Sequence, residues 1–120
     1  MKILLAPAET KKSGGEEKAF HSDNFSFTSH FKKREEIFRI YENLLKHSSI
    51  EELKIWFGLK NEKEVTRYKQ SLTNKPSMKA IQRYTGVAFD ALDYDKLSGD
   101  AQKYVDENVV LFSNLFGPIK

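Results

Sequence analysis

Residues 1–15 read MKILLAPAETKKSGG. Ile3-Leu4-Leu5-Ala6 is continuous and apolar, and Pro7 has no N–H to give a ladder. The stretch therefore predicts a short buried strand over 2–8. A plain turn after a strand needs only a glycine or a proline. This one also carries Glu9, Lys11, Lys12 and the pair Gly14-Gly15. The matching apolar run lies at the far end, where Val109-Val110-Leu111-Phe112 predicts a second strand over about 109–116, halted by Gly117-Pro118.

Between the two runs the periodicity is helical. Residues 9–30 read as a long polar loop with one extended piece at Phe25-Ser26-Phe27. Ile37, Phe38, Tyr41, Leu44 and Leu45 then form one apolar stripe. Ser48 with Glu51, or Ser49 with Glu52, makes a capping-box pattern before Ile50, Leu53 and Phe57. Gly58 is placed to stop that helix, Trp56 and Phe57 to pack in its core, and Asn61 to cap the next. Val65, Tyr68 and Leu72 continue inward. Pro76-Ser77 predicts a short helix through about Arg83, closed by Gly86. A helical turn is expected at Ala88–Leu92 and a longer helix at 98–108, with Asp95 capping a helix start.

The fold class is α/β: a mainly helical chain whose two strands pair in parallel through a helical crossover. A two-stranded sheet is marginal alone. We therefore expect residues beyond 120, or a dimer partner, to complete it.

At 120 residues the chain is one domain's worth. With no cysteine it has neither a disulfide frame nor a thiolate metal site. No apolar run approaches the roughly 20 residues of a membrane span, and the first run is too short for a signal peptide. A soluble, cytoplasmic protein is the expectation. The net charge of +3 is unevenly spread. Residues 61–87 hold six basic and two acidic side chains, and 88–120 hold three basic and six acidic. A cationic middle beside an anionic end describes either a phosphate-binding face or two solvated halves that offset each other.

Three chemical readings follow. Gly14-Gly15 allows close backbone approach to an anion, with Lys11 and Lys12 adding charge. The lysines precede the glycines, however, so this is not a P-loop, and a mobile surface turn stays open. Glu9 is a candidate acid/base or a simple ion-pair partner of those lysines. The segment 50–72 reads helix, tight turn, helix. Lys60, Lys63 and Arg67 would share an outer face if the second helix reaches back to Lys60, with Lys69 and Lys75 nearby. His21, His30 and His47 have no i, i+4 partner and read as surface or capping residues, so no metal site and no cofactor is expected.

Three segments together resemble a known family. ILLAPAETKKSGG (3–15), YTGVAFDAL (84–92) and VVLFSNLFGPIK (109–120) are similar to the YaaA family of bacterial peroxide stress proteins. The motif positions are Pro7, Glu9, Lys11, Gly14 and Gly15; Tyr84, Thr85 and Gly86; and Ser113, Leu115, Phe116 and Gly117. Family members run to roughly twice this length, so the resemblance implies the N-terminal part of such a protein, as a single domain over 1–120. It also implies a mixed α/β fold, a positively charged cleft and a helix-hairpin-helix-like element. The implied activity is limitation of iron-driven damage during peroxide stress, with sequence-independent binding of duplex or branched DNA. Lys11, Lys12, Lys60, Lys63, Arg67, Lys69 and Lys75 are the expected phosphate contacts. The alternative is an enzyme for a small phosphorylated or nucleotide-like substrate, with Glu9 as acid/base and Gly14-Gly15 as anion cradle.

Overall fold

A computed structural model describes residues 1–16 and 20–119. Part of the predicted 9–30 loop, at 17–19, and the last motif residue, Lys120, lie outside the described residues. The chain divides into two compact units, Met1–Phe31 with Lys75–Lys120, and Lys32–Asn74.

The first unit holds a three-stranded mixed sheet in the order β1-β2-β3. Strand β1 (Ile3–Leu5) pairs in parallel with β2 (Val109–Ser113), in the register Ile3↔Val109, Leu4↔Val110, Leu5↔Leu111. The two terminal runs are thus neighbours in one sheet, as their apolar pattern required. The second strand is shorter than expected. The chain turns at Asn114–Phe116 and returns as β3 (Gly117–Ile119), antiparallel to β2. Gly117-Pro118 does not halt a strand; it begins one. Gly117 takes φ 73, open to a glycine at little cost. Pro118 sits in a short edge strand, where a missing N–H is tolerated.

Helices α4 (Ala80–Arg83), α5 (Val87–Leu92) and α6 (Gly99–Asn108) pack on one face of this sheet. Leu111 is 1% exposed and meets Ala80, Ile81, Tyr84, Phe89, Tyr94 and Val105 in the core. Leu5, Val109 and Ile119 join from the same sheet face. Helix α4 begins three residues later than predicted, because Ser77 is held in a β-bridge. Gly86 does not close it either; with φ 120 it starts α5. Ser98 caps α6 by accepting from the Ala101 N–H. Asp95 caps nothing and instead accepts from Gln82 at 2.7 Å.

The second unit contains most of α1 (Phe31–His47), then α2 (Ile50–Phe57) and α3 (Glu62–Tyr68). Its core is Leu45, Leu53 and Val65, flanked by Tyr41, Ile50, Phe57 and Leu59. Of the predicted capping boxes the second forms: Ser49 accepts from the Glu52 N–H, and Glu52 accepts from the Ser49 N–H at 2.7 Å. Gly58 ends α2 in the left-handed region at φ 64. Trp56 is not core; it is 55% exposed, one position off the buried stripe. Tyr68 is exposed as well.

Candidate functional site

The loop that leaves β1 and the segment before α5 are brought together at the carboxyl ends of the parallel strands. That is where open α/β sheets bind ligands. Lys11 forms a β-bridge with Tyr84. The Lys12 N–H donates to the Arg83 carbonyl at 2.7 Å, and the Thr85 N–H donates to the Thr10 carbonyl at 3.1 Å. The hydroxyls of Thr85 and Thr10 are joined at 2.7 Å. A Cβ placed on Gly86 would lie 3.9 Å from the Ala8 methyl. Two of the three motif segments, distant in sequence, therefore build one wall.

The side chains on this wall have distinct settings. Tyr84 is buried against Phe89, with ring centroids 5.5 Å apart. The Lys11 ammonium lies 5.2 Å from the centre of the Tyr84 ring and donates to the Glu9 carbonyl at 3.1 Å. Cation–π attraction and a carbonyl dipole thus hold the charge in place. Glu9 is exposed, and among the described residues its carboxylate has no ion-pair partner.

Arg83, which no sequence pattern flagged, organises the glycine turn. Its guanidinium donates to the carbonyls of Lys12 at 2.9 Å, Gly14 at 2.8 Å and Pro76 at 3.3 Å. Burial lowers its pKa from the ordinary value, yet a guanidinium stays charged throughout the working range. Gly15 has φ 141, and a Cβ there would meet the Ser77 carbonyl oxygen at 2.3 Å. The close backbone approach that requires a glycine at 15 is made to Ser77. Gly14 has φ 87 with open space around it.

The third motif shapes the β2–β3 turn. The Ser113 hydroxyl accepts from the Phe116 N–H at 3.1 Å. Phe116 packs edge-on against Phe20 at 5.9 Å. A further polar cluster, unflagged in the sequence, joins α6 to the loop before α4. Lys79 donates to Tyr94 and to Asp106, and the Tyr94 hydroxyl donates to Asp106 at 2.8 Å. The Asp106 and Tyr94 bonds raise the Lys79 pKa, and burial raises that of Tyr94.

The remaining predicted cations belong mostly to the second unit. Helix α3 starts at Glu62, capped by Asn61, so it does not extend back to Lys60. Lys60 lies in the turn, and Lys63 and Arg67 lie on the helix. All three are exposed and without an ion-pair partner among the described residues. Lys69 donates to the Ser48 carbonyl at 3.2 Å. It lines an open groove of about 790 Å³ with Arg39, Glu42 and Lys46. Arg39 and Lys46 lie on α1, outside the basic stretch at 61–87, so charge along the sequence does not point to them. Lys75 is exposed in the first unit. His21 is a cap, accepting from the Asp23 N–H at 3.4 Å. Among the described residues no group of three or more His, Cys, Asp or Glu is placed to hold a metal, and no helix is long and apolar enough to cross a membrane.

A sequence model of the family described as Peroxide stress protein YaaA matches residues 1–120. Curated relatives include an uncharacterized protein of Campylobacter jejuni, 37% identical over 100% of this chain and 49% of its own length. A UPF0246 protein of Corynebacterium glutamicum is 37% identical over 99% of this chain and 46% of its own. One from Malacoplasma penetrans is 25% identical over 98% of this chain. The chain spans about half the length of these relatives.

Proposed function

The chain belongs to the peroxide stress protein YaaA family, and on that premise we propose that it acts in peroxide stress by binding DNA, without regard to sequence, and so helps limit iron-driven damage there. The observation that carries the reading is the set Lys60, Lys63 and Arg67, exposed on the α2–α3 turn and on α3 without ion-pair partners among the described residues. Unpaired cations of this kind repel one another and hold counterions. Phosphates that replace those counterions release them, which drives association. The unit Lys32–Asn74 has ten basic and seven acidic side chains, so its net charge is also positive. Arg39, Lys46 and Lys69 line its groove. Lys11, Lys12 and Lys75, on the other unit, are further candidates for phosphate contact.

The test is fluorescence anisotropy with duplex and four-way-junction DNA at several salt concentrations. Affinity is expected to fall linearly on a log–log plot and to be equal for unrelated sequences. Replacing Lys60, Lys63 and Arg67 with Gln should reduce the slope by about 3, because each phosphate contact contributes about 0.9. No binding at low salt, or binding indifferent to salt, sinks the reading.

A second reading is favoured by the wall at the strand ends: an enzyme for a small phosphorylated or nucleotide-like substrate. Glu9, exposed and without an ion-pair partner among the described residues, would be the acid/base. Lys11 and the Gly14-Gly15 turn would hold the anion. Glu9→Gln separates the two readings. DNA affinity should hold or rise slightly, because an anion is removed, whereas turnover of a phosphorylated substrate should collapse.

A further inference from the structure

The sheet has a covered face and an open one. Leu5, Val109, Leu111 and Ile119 point into the core. By strand alternation the opposite face carries Leu4, Val110, Phe112 and Pro118, with Leu4 beside Val110 and Phe112 beside Pro118. Leu4 is 67% exposed and Phe112 44%. Strands paired in parallel are normally buried on both faces, and an exposed face is normally polar. This one is apolar throughout. The sheet edges are also unequal. Beside β3, Phe25 bridges Ile119 and the Ser26 N–H donates to the Pro118 carbonyl. Beside β1, no strand lies on the side away from β2 among the described residues.

We propose that this open face, together with the free edge of β1, seats a second structural layer formed by the portion of the family's polypeptide that residues 1–120 do not match. The relatives supply the length: the matched part is 49% of the C. jejuni protein and 46% of the C. glutamicum protein. The small size of the patch argues for a segment of the same polypeptide rather than a second copy. A stable dimer uses roughly 20–30 residues a side, and four apolar side chains fall far short of that. A layer joined by the backbone needs less area, because tethering replaces a bimolecular event with an intramolecular one.

The experiment labels exposed side chains with a photoactivated carbene and reads Leu4 and Phe112 by mass spectrometry. It compares the 120-residue chain with a fusion to the unmatched half of the C. jejuni relative, in the relative's own order. Labelling is expected to be strong and independent of concentration in the chain alone, and at least about 5-fold weaker in the fusion. Equal labelling in a folded fusion overturns the proposal. So does protection in the chain alone that grows with concentration, which assigns the face to a second copy. A fusion that does not fold where the 120-residue chain does also counts against it. A second measurement needs no fusion: Leu4→Lys with Phe112→Lys in the 120-residue chain should shift Tm by less than about 4 °C. A fall as large as that of Leu111→Ala would mean that the face is already covered, and the proposal would fail.

Discussion

Glu42 accepts through one carboxylate oxygen from the Ser71 hydroxyl at 2.8 Å and from the N–H groups of Leu72 at 3.0 Å and Thr73 at 3.4 Å. These bonds, with that of Ser71 first, hold its carboxyl below the usual range. A carboxylate with a lowered folded pKa contributes stability above its unfolded value, and that contribution is lost as pH falls through the folded one. Glu42→Gln is therefore expected to cost about 1–2 kcal/mol at pH 7, discounted for its partial exposure. The difference from the parent should shrink below about pH 4. Urea titrations at pH 7 and pH 3.5 check both. Gly15 offers a second residue-level test. Gly15→Ala should cost more than about 3 kcal/mol, since backbone rather than a movable side chain fills the space. Gly14→Ala meets only conformational strain, about 1–2 kcal/mol. Equal costs, measured by thermal unfolding, would contradict this account. That a glycine pair followed the first strand was plain from the sequence. That its neighbour is Ser77 was not, because no periodicity links positions 15 and 77. Arg83 and Glu42 were hidden for the same reason: each acts on loops far away in sequence.

Local chemistry made the helices legible. Ser49 and Glu52 cap α2 reciprocally, and Gly58 stops it, because both signals lie within four residues of the structure they set. Ser49→Ala should lower stability by about 1 kcal/mol, read by urea denaturation monitored by circular dichroism at 222 nm. An unchanged midpoint would show that Glu52 alone suffices. Strand β2 ends sooner than its apolar run predicts, for an equally local reason. Apolar residues continue through Leu115 and Phe116, and they obscured the turn beginning at Asn114, a residue suited to turns. At Pro76-Ser77 the proline suggested a helix start, but the Ser77 β-bridge takes that backbone and delays α4 to Ala80.

At the scale of the molecule, the parallel pairing of the two ends followed from two apolar runs separated by helical periodicity, and the register bears it out. Leu111 lies where that sheet meets α4, α5 and α6. Leu111→Ala should therefore cost about 2–5 kcal/mol, measured by chemical denaturation. A loss under 1 kcal/mol would mean the site collapses to fill the space. Net charge spoke to partners and not to arrangement. Counting along the chain found the basic stretch at 61–87 but could not find Arg39 and Lys46, which only folding brings to the groove with Lys69.

Trp56 is the chain's one tryptophan, and more than half of it is exposed to water in the native state. With Trp56 55% exposed, its emission is expected to lie close to that of a hydrated indole, and intrinsic fluorescence should register little of the loss of tertiary structure. The same indole will instead respond to whatever dehydrates or stacks upon the end of α2. It is a poor thermometer for this protein and a good doorbell for its visitors.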